Sequence, residues 1–252
     1  MQTKDPEPST RISMELVPRD EESLQEELDL VKNTFPKVDT LNIPDLPRFK
    51  VRSWRGCELA RGQFGSTIPH IRAVDCDPDK PLAMAETLVA NHINEVLVVT
   101  GDVEPGSIPR SNALEIIRKF KRELPGVKVY GALDPYRSGF KEELDYLKRK
   151  REMGADGFFT QPFFDIRLLE IYQEALEGSD VFWGVSPVTT ENSQKYWESR
   201  NKVVFPKSFV PNLEWNRKFA AQALQFVRER GAHIYFMPIR VNIERYLGGI
   251  LE

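Results

Sequence analysis

The amino-acid sequence predicts an α/β protein built as a single (β/α)8 TIM barrel, and three observations carry that expectation. Eight short β-type runs alternate with amphipathic helical patterns along the 252 residues. One of them, Glu95 to Thr100 (EVLVVT), is an unbroken β-branched run of the kind buried on both faces in parallel sheets. No low-complexity linker divides the chain, so residues 1–10 read as a flexible polar lead and residues 11–252 as the barrel.

Arg11 to Pro18 (RISMELVP) is the first strand, carrying one acid, Glu15, among apolar residues. Leu24, Leu28, Val31 and Phe35 follow at helical spacing, with acids in the first turn where the helix dipole favours them. Thr40 to Ile43 is a weak second strand. The stretch from Pro44 to Gly65, rich in Pro, Arg and Gly, has no assignable element. Thr67 to Cys76 is the third strand region, and Asp79 to Ala90 predicts a helix with Leu82, Ala85, Leu88 and Val89 on its inner side.

After the fourth strand comes the loop GDVEPGSIPR, and Ser111 is expected to cap a helix with Leu114, Ile117, Phe120 and Leu124 inward. Val127 to Ala132 is the fifth strand, followed by a helix with Phe140, Leu144 and Leu147 inward. Gly157 to Thr160 is the sixth, delivering Gln161 to its carboxyl end, with a helix around Leu168 to Ala175 after it. Val181 to Val185 is the seventh, followed by a loop and helix from Ser186. Trp215, Phe219, Ala223 and Val227 mark a helix ended by Gly231, before Ile234 to Met237 as the eighth strand and a short last helix.

Composition narrows function. With Lys+Arg 35 against Asp+Glu 38 and a formal net charge of -3, the chain has no broad basic field for nucleic acid or an anionic membrane. Cys57 and Cys76 have neither metal-motif nor disulfide-framework spacing, and no run approaches the ~18 apolar residues of a membrane span. A soluble cytoplasmic protein is expected, with a homo-oligomer or protein partner left open. GxGxxG, Walker, HExxH and GxSxG motifs are absent, and the three histidines lack ligand spacing, so no metal is expected.

In a barrel, the polar residues at strand carboxyl ends become neighbours: Glu15, His70, Asp102, Asp134 and Gln161, with Arg240 by the last strand. Singly, each is more commonly an ion-pair partner or a satisfied core group. Together they point to a site.

ISMELVP, TIPHIRAVD, VLVVTGDVEPGS, LKRKREMGAD and above all GFFTQPFFD resemble the methylenetetrahydrofolate reductase family over most of the chain. The resemblance implies reduction of 5,10-methylenetetrahydrofolate to 5-methyltetrahydrofolate by an FAD flavoprotein using NADH or NADPH, in one-carbon metabolism and methionine biosynthesis. It gives Glu15 the role of the acid that opens the folate ring, an assignment consistent with an acid held in an apolar strand. It gives Asp102 the stabilisation of positive charge on the folate beside the flavin, Gln161 the pterin and Arg240 the same mouth. The aromatic residues after Gln161 are expected to form pocket wall. His70, Thr100, Gly101, Asp102, Ala132, Asp134, Tyr136, Glu143 and Lys150 are similarly matched to FAD contacts. Thr100 stands where the family usually has Arg, the loop after the fifth strand is short, and Phe236 stands for an expected Tyr. Two other readings follow from those departures: a flavin-independent reductase with direct hydride transfer, and a folate- or partner-binding barrel without catalysis.

Overall fold

The computed structural model describes residues 10–103, 106 and 108–251. Eight parallel strands close into one barrel in sequence order. They are β1 (Ile12–Glu15), β2 (Thr40–Ile43), β3 (Ser66–Arg72), β4 (Glu95–Val99), β5 (Lys128–Leu133), β6 (Gly157–Pro162), β7 (Asp180–Val185) and β8 (His233–Phe236). β8 returns to β1, with Ser13 opposite Tyr235 and Met14 opposite Phe236. The helices are α1 (Glu21–Thr34), α2 (Ser53–Leu59), α3 (Ala85–Ala90), α4 (Ala113–Glu123), α5 (Phe140–Glu152), α6 (Ile166–Ala175), α7 (Glu191–Arg200), α8 (Leu213–Arg228) and α9 (Ile243–Leu247). Among the described residues no helix is long and apolar enough to cross a membrane.

Strand alternation divides the core in two. Outward residues such as Met14, Leu41, Val96, Val129 and Trp183 pack under the helices. Inward residues Ile68, Leu97, Tyr130, Phe159, Phe182, Tyr235 and Met237 fill the barrel. Phe159 and Phe182 stack with centroids 4.1 Å apart, and Tyr130 meets both edge-on. The interior is thus a packed core rather than a pore.

Below these rings, the amino-terminal end of the barrel carries a polar network. Arg11 donates to both oxygens of Glu95, at 2.9 and 2.7 Å, and to Thr40 Oγ1 at 3.0 Å. Ser66 and the Tyr130 hydroxyl also donate to Glu95. Lys128 pairs with Asp180, which in turn lies 3.4 Å from His233 Nε2.

Several boundaries differ from expectation. The Pro44 to Gly65 stretch contains α2, a seven-residue helix fastened by tertiary bonds: Ser53 Oγ donates to the His70 carbonyl at 2.7 Å, and Ser53 N to Asp45 Oδ1 at 3.3 Å. α3 begins only at Ala85, and Val89 is exposed. The cap of α4 is Asn112, which forms a capping box with Glu115; Ser111 instead donates to the carbonyls of Ala73 and Cys76. Phe140 is 41% exposed, its ring edge resting on Tyr172. Most of the N-terminal lead, residues 1–9, lies outside the described residues.

Candidate active site

The carboxyl end of the barrel gathers polar groups of a different kind. Glu15, the last residue of β1, lies opposite Asn42 of β2 and accepts a hydrogen bond from the Tyr235 hydroxyl of β8. Burial pushes its carboxyl up to about 7, with the Tyr235 bond pulling modestly the other way. The acid is therefore substantially protonated at neutral pH. Asn42 is fully buried near that hydroxyl, yet neither its amide nitrogen nor its oxygen makes a well-formed hydrogen bond.

His70 on β3 is 8% exposed, and its Nε2 has no partner. Burial lowers its pKa to about 3, which keeps the imidazole neutral. Its ring meets Tyr235 edge-on at 6.4 Å, and Phe159 meets the same tyrosine at 5.3 Å. Glu15, Asn42, His70 and Tyr235 thus form one continuous patch across β8, β1, β2 and β3. Glu15 also opens into a cleft of about 360 Å³ shared with Arg19, Arg48, Phe49 and Arg240. Arg240 sits exposed on that rim, in the left-handed region with φ 56°.

Gln161 is the one exposed residue of β6, next to a register shift between Phe159 and Pro162. The aromatic residues after it do not line the pocket. Phe163 packs in the outer core, and Phe164 joins Val188, Trp197 and Val203. Both lie beyond the end of β6 at Pro162 and pack into separate clusters. Thr100, Gly101 and Asp102 leave β4 as a loop held to the end of β3 and the turn after it, through Arg72 to the Asp102 carbonyl at 2.8 Å and Val74 N to the Thr100 carbonyl at 3.1 Å. Gly101 has φ 86°, and a Cβ there would lie 2.9 Å from Val74 Cγ2.

The α5 pair is placed otherwise. Glu143 is fully buried; it accepts from Arg137 at 2.7 Å, from Ser138, and from Asp134 N at 3.1 Å. Lys150, 2% exposed, runs across the outer face of β5 at Gly131 and donates to the Ala132 carbonyl. Burial lowers its pKa to about 7, against the pull of Glu143. Neither side chain belongs to a solvated helix face. Asp134 accepts from Tyr136 N at 3.0 Å, and the Tyr136 hydroxyl donates to the Pro162 carbonyl. As donors for FAD, Glu143 and Lys150 do not fit the ribose and diphosphate, because both are buried and already bonded, to Arg137 and to the Ala132 carbonyl. Ala132 and His70, small and unpartnered respectively, remain available at the mouth. Among the described residues no three His, Cys, Asp or Glu side chains gather as a metal site.

Sequence reasoning passed over Tyr235 and Asn42. Alternation in HIYFM puts His233, Tyr235 and Met237 on the inner face, and an Asn within TLNI is the same kind of signal as Glu15 within ISME.

Fold and site together define a parallel (β/α)8 barrel with a buried acid in the polar patch at its carboxyl-terminal mouth. A family model described as methylenetetrahydrofolate reductase matches residues 58–239. The chain belongs to that family. It is 25% identical over 146 residues to 5,10-methylenetetrahydrofolate reductase of Escherichia coli (strain K12), covering 55% of this chain and 49% of that one. With the same-named protein of Buchnera aphidicola it shares 24% over 167 residues, 63% of this chain and 54% of the other. The chain spans about half the length of these relatives. Among solved structures, oxaloacetate acetylhydrolase aligns with a TM-score of 0.58 at 13% identity, over 92% of this chain and 76% of that one. A 2,3-dimethylmalate lyase gives 0.57 at 13%, over 96% and 76%. These two likenesses concern the fold alone. His70, Asp102, Glu143, Lys150 and Gln161 lie within the family match; Glu15 and Arg240 lie outside it.

Proposed function

We propose that this chain reduces 5,10-methylenetetrahydrofolate to 5-methyltetrahydrofolate, with NADH or NADPH supplying the hydride. The single observation that carries the reading is the carboxyl of Glu15, held protonated up to about pH 7 at the mouth of a barrel of this family. The reaction needs such a group. A proton delivered to N10 breaks the bond between N10 and the bridging carbon and leaves an N5 iminium. Hydride adds to that carbon, giving the methyl group and oxidised nicotinamide. Glu15 is the proton donor, and the Tyr235 hydroxyl orients its carboxyl and stabilises the carboxylate left behind. Asp102 supplies negative charge toward the iminium. Gln161, able to donate and accept, takes the pterin edge, with Arg240 on the rim.

Two routes bring the hydride. FAD as intermediate carrier is what the family resemblance implies. Direct transfer from nicotinamide to folate is favoured by one observation: Glu143 and Lys150 are spent on Arg137 and the Ala132 carbonyl. The absorbance spectrum of the purified protein tests the routes. Turnover by colourless, flavin-free protein supports direct transfer; a yellow protein whose activity tracks FAD content overturns it. A protein that neither binds folate nor oxidises NAD(P)H in its presence overturns the reductase reading itself.

A further inference from the structure

Glu15 stands between two polar neighbours that reach it from the strands on either side. β2 places Asn42 opposite it, and β8, paired to the other edge of β1, brings the Tyr235 hydroxyl onto one carboxyl oxygen, Oε2. Alternation along the three strands turns Glu15, Asn42 and Tyr235 into the barrel. Asn42 is fully buried, and its amide has no well-formed bond through nitrogen or oxygen. A buried amide left in that state costs free energy that an apolar side chain of the same size does not. Stability alone would favour leucine there.

Counting hydrogens fixes how the three groups can connect. A phenol has one hydrogen to give and two lone pairs to accept with. That hydrogen is committed to Glu15 Oε2, so a group approaching the phenol oxygen from β2 must donate. The Asn42 amide has hydrogens to give. Burial holds the Tyr235 phenol well above its usual pKa, and the approach of Asn42 works the other way, as donation to the phenol oxygen does. The direction matters for the acid. With Tyr235 donating to Oε2, the acidic hydrogen of Glu15 is left on Oε1, free for a substrate. With the phenol reversed, Glu15 would donate to Tyr235 and its proton would be held inside the barrel.

The other charged and titratable groups around the carboxyl do not set this direction. Arg19 is paired with Glu27, Arg48 lies over the Phe49 ring, Arg240 is exposed on the rim, and His70 meets Tyr235 only through its ring at 6.4 Å. Among the described residues none of them bonds to Glu15.

We infer that Asn42 is a positioning residue for the proton transfer: its amide nitrogen donates to the Tyr235 oxygen, so that Tyr235 donates to Glu15 and the Glu15 proton is presented to N10 of the folate. The inference rests on the reductase reading of the Glu15 site. In the step itself the Glu15 O–H bond breaks, an N10–H bond forms, and the electron pair of the broken bond stays on Glu15 as carboxylate. Tyr235 and Asn42 keep their hydrogens throughout, and their bonds strengthen as the charge appears.

The test compares wild type with Asn42→Leu, Tyr235→Phe and the double variant. It uses steady-state folate reduction, equilibrium folate binding, thermal melting, and infrared spectra at pH 5, where Glu15 is protonated. Leucine is close to asparagine in size, so Asn42→Leu is expected to melt at or above the wild-type temperature. Its kcat is expected to fall roughly tenfold with folate affinity unchanged. Adding Tyr235→Phe removes the group that captures the proton, and kcat should return to that of Tyr235→Phe alone. The Glu15 carbonyl stretch, assigned by its loss in Glu15→Gln, should move to higher frequency in Asn42→Leu as the carbonyl loses the Tyr235 hydrogen. An unshifted band, or a kcat loss that adds to that of Tyr235→Phe, overturns the inference. A loss confined to folate affinity overturns it in favour of a ligand contact, and a lowered melting temperature in favour of a structural role. Wild type that reduces no folate removes the reductase reading and the inference together, whereas reduction with an unshifted band removes the inference alone.

Discussion

The two ends of the same barrel treat buried polarity in opposite ways. At the amino-terminal end, Arg11, Glu95, Thr40, Ser66, Tyr130, Lys128 and Asp180 answer one another, so charge is neutralised where it lies. At the carboxyl-terminal end, Asn42 is enclosed without a well-formed bond, His70 Nε2 has no partner, and Glu15 has only a hydroxyl for company. Burying polar atoms without partners costs free energy, roughly 1–3 kcal/mol per group. The lower end uses polarity to close the barrel. The upper end leaves it unneutralised, the pattern expected when stability and function occupy opposite faces of this fold.

The strongest way to break this contrast is at Glu15. Glu15→Gln is expected to lower folate reduction by roughly 10²–10⁴-fold, the usual worth of a general acid, while folate binding persists; steady-state rates set beside equilibrium binding decide it. Glu95→Gln is expected to leave catalytic pH dependence alone and to destabilise the protein by about 2–4 kcal/mol, because the largely buried Arg11 loses a bidentate partner. Thermal unfolding should show a drop of roughly 5–15 °C, and an unchanged midpoint would remove the structural role given to the lower network.

A smaller effect concerns Glu15 and stability. Its folded pKa, about 7, lies above the ordinary 4.5, so its contribution is fully present below about 4.5 and is lost as pH rises through 7. Glu15→Gln, which cannot ionise, should therefore be the more stable protein at pH 8, by on the order of 2 kcal/mol. Denaturant titrations at pH 5 and pH 8 measure it. Equal differences at the two values would place the carboxyl in water. The smallest shift comes from Tyr235→Phe. The hydroxyl stabilises the carboxylate, so its loss should raise the Glu15 pKa and carry the alkaline limb of the pH–rate profile upward, by about one unit or less. A limb that moves down contradicts this assignment.

Much of the scaffold was legible because periodicity is a local property. β2 was delimited as Thr40–Ile43, and the stripes Leu24–Leu28–Val31 and Phe219–Ala223–Val227 are buried as the spacing requires. What escaped depends on distant partners. α2 is short, contains Gly56, and is pinned by Asp45 and the carbonyl of His70, none of which its own pattern announces. Ser111 and Asn112 are both competent caps, and only the geometry of Glu115 selects the second. The site shows the same division. Glu15 is conspicuous as a charge in an apolar strand, whereas the importance of Tyr235 lies in a contact 220 residues away that no local pattern announces. Glu143 and Lys150 share a helical stripe as the spacing implies, but where that stripe points is decided by Gly131 and Arg137.

The bond between Tyr235 and Glu15 joins residues 220 apart in sequence, across the seam where the last strand meets the first. Synthesis proceeds from the amino end, so a growing chain exposes Glu15 long before residue 235 exists. Until β8 docks, that carboxyl is a hydrated side chain with an ordinary pKa near 4.5. Its raised pKa is thus acquired at the moment of closure. The titration of one early-made glutamate therefore reports completion of the whole ring.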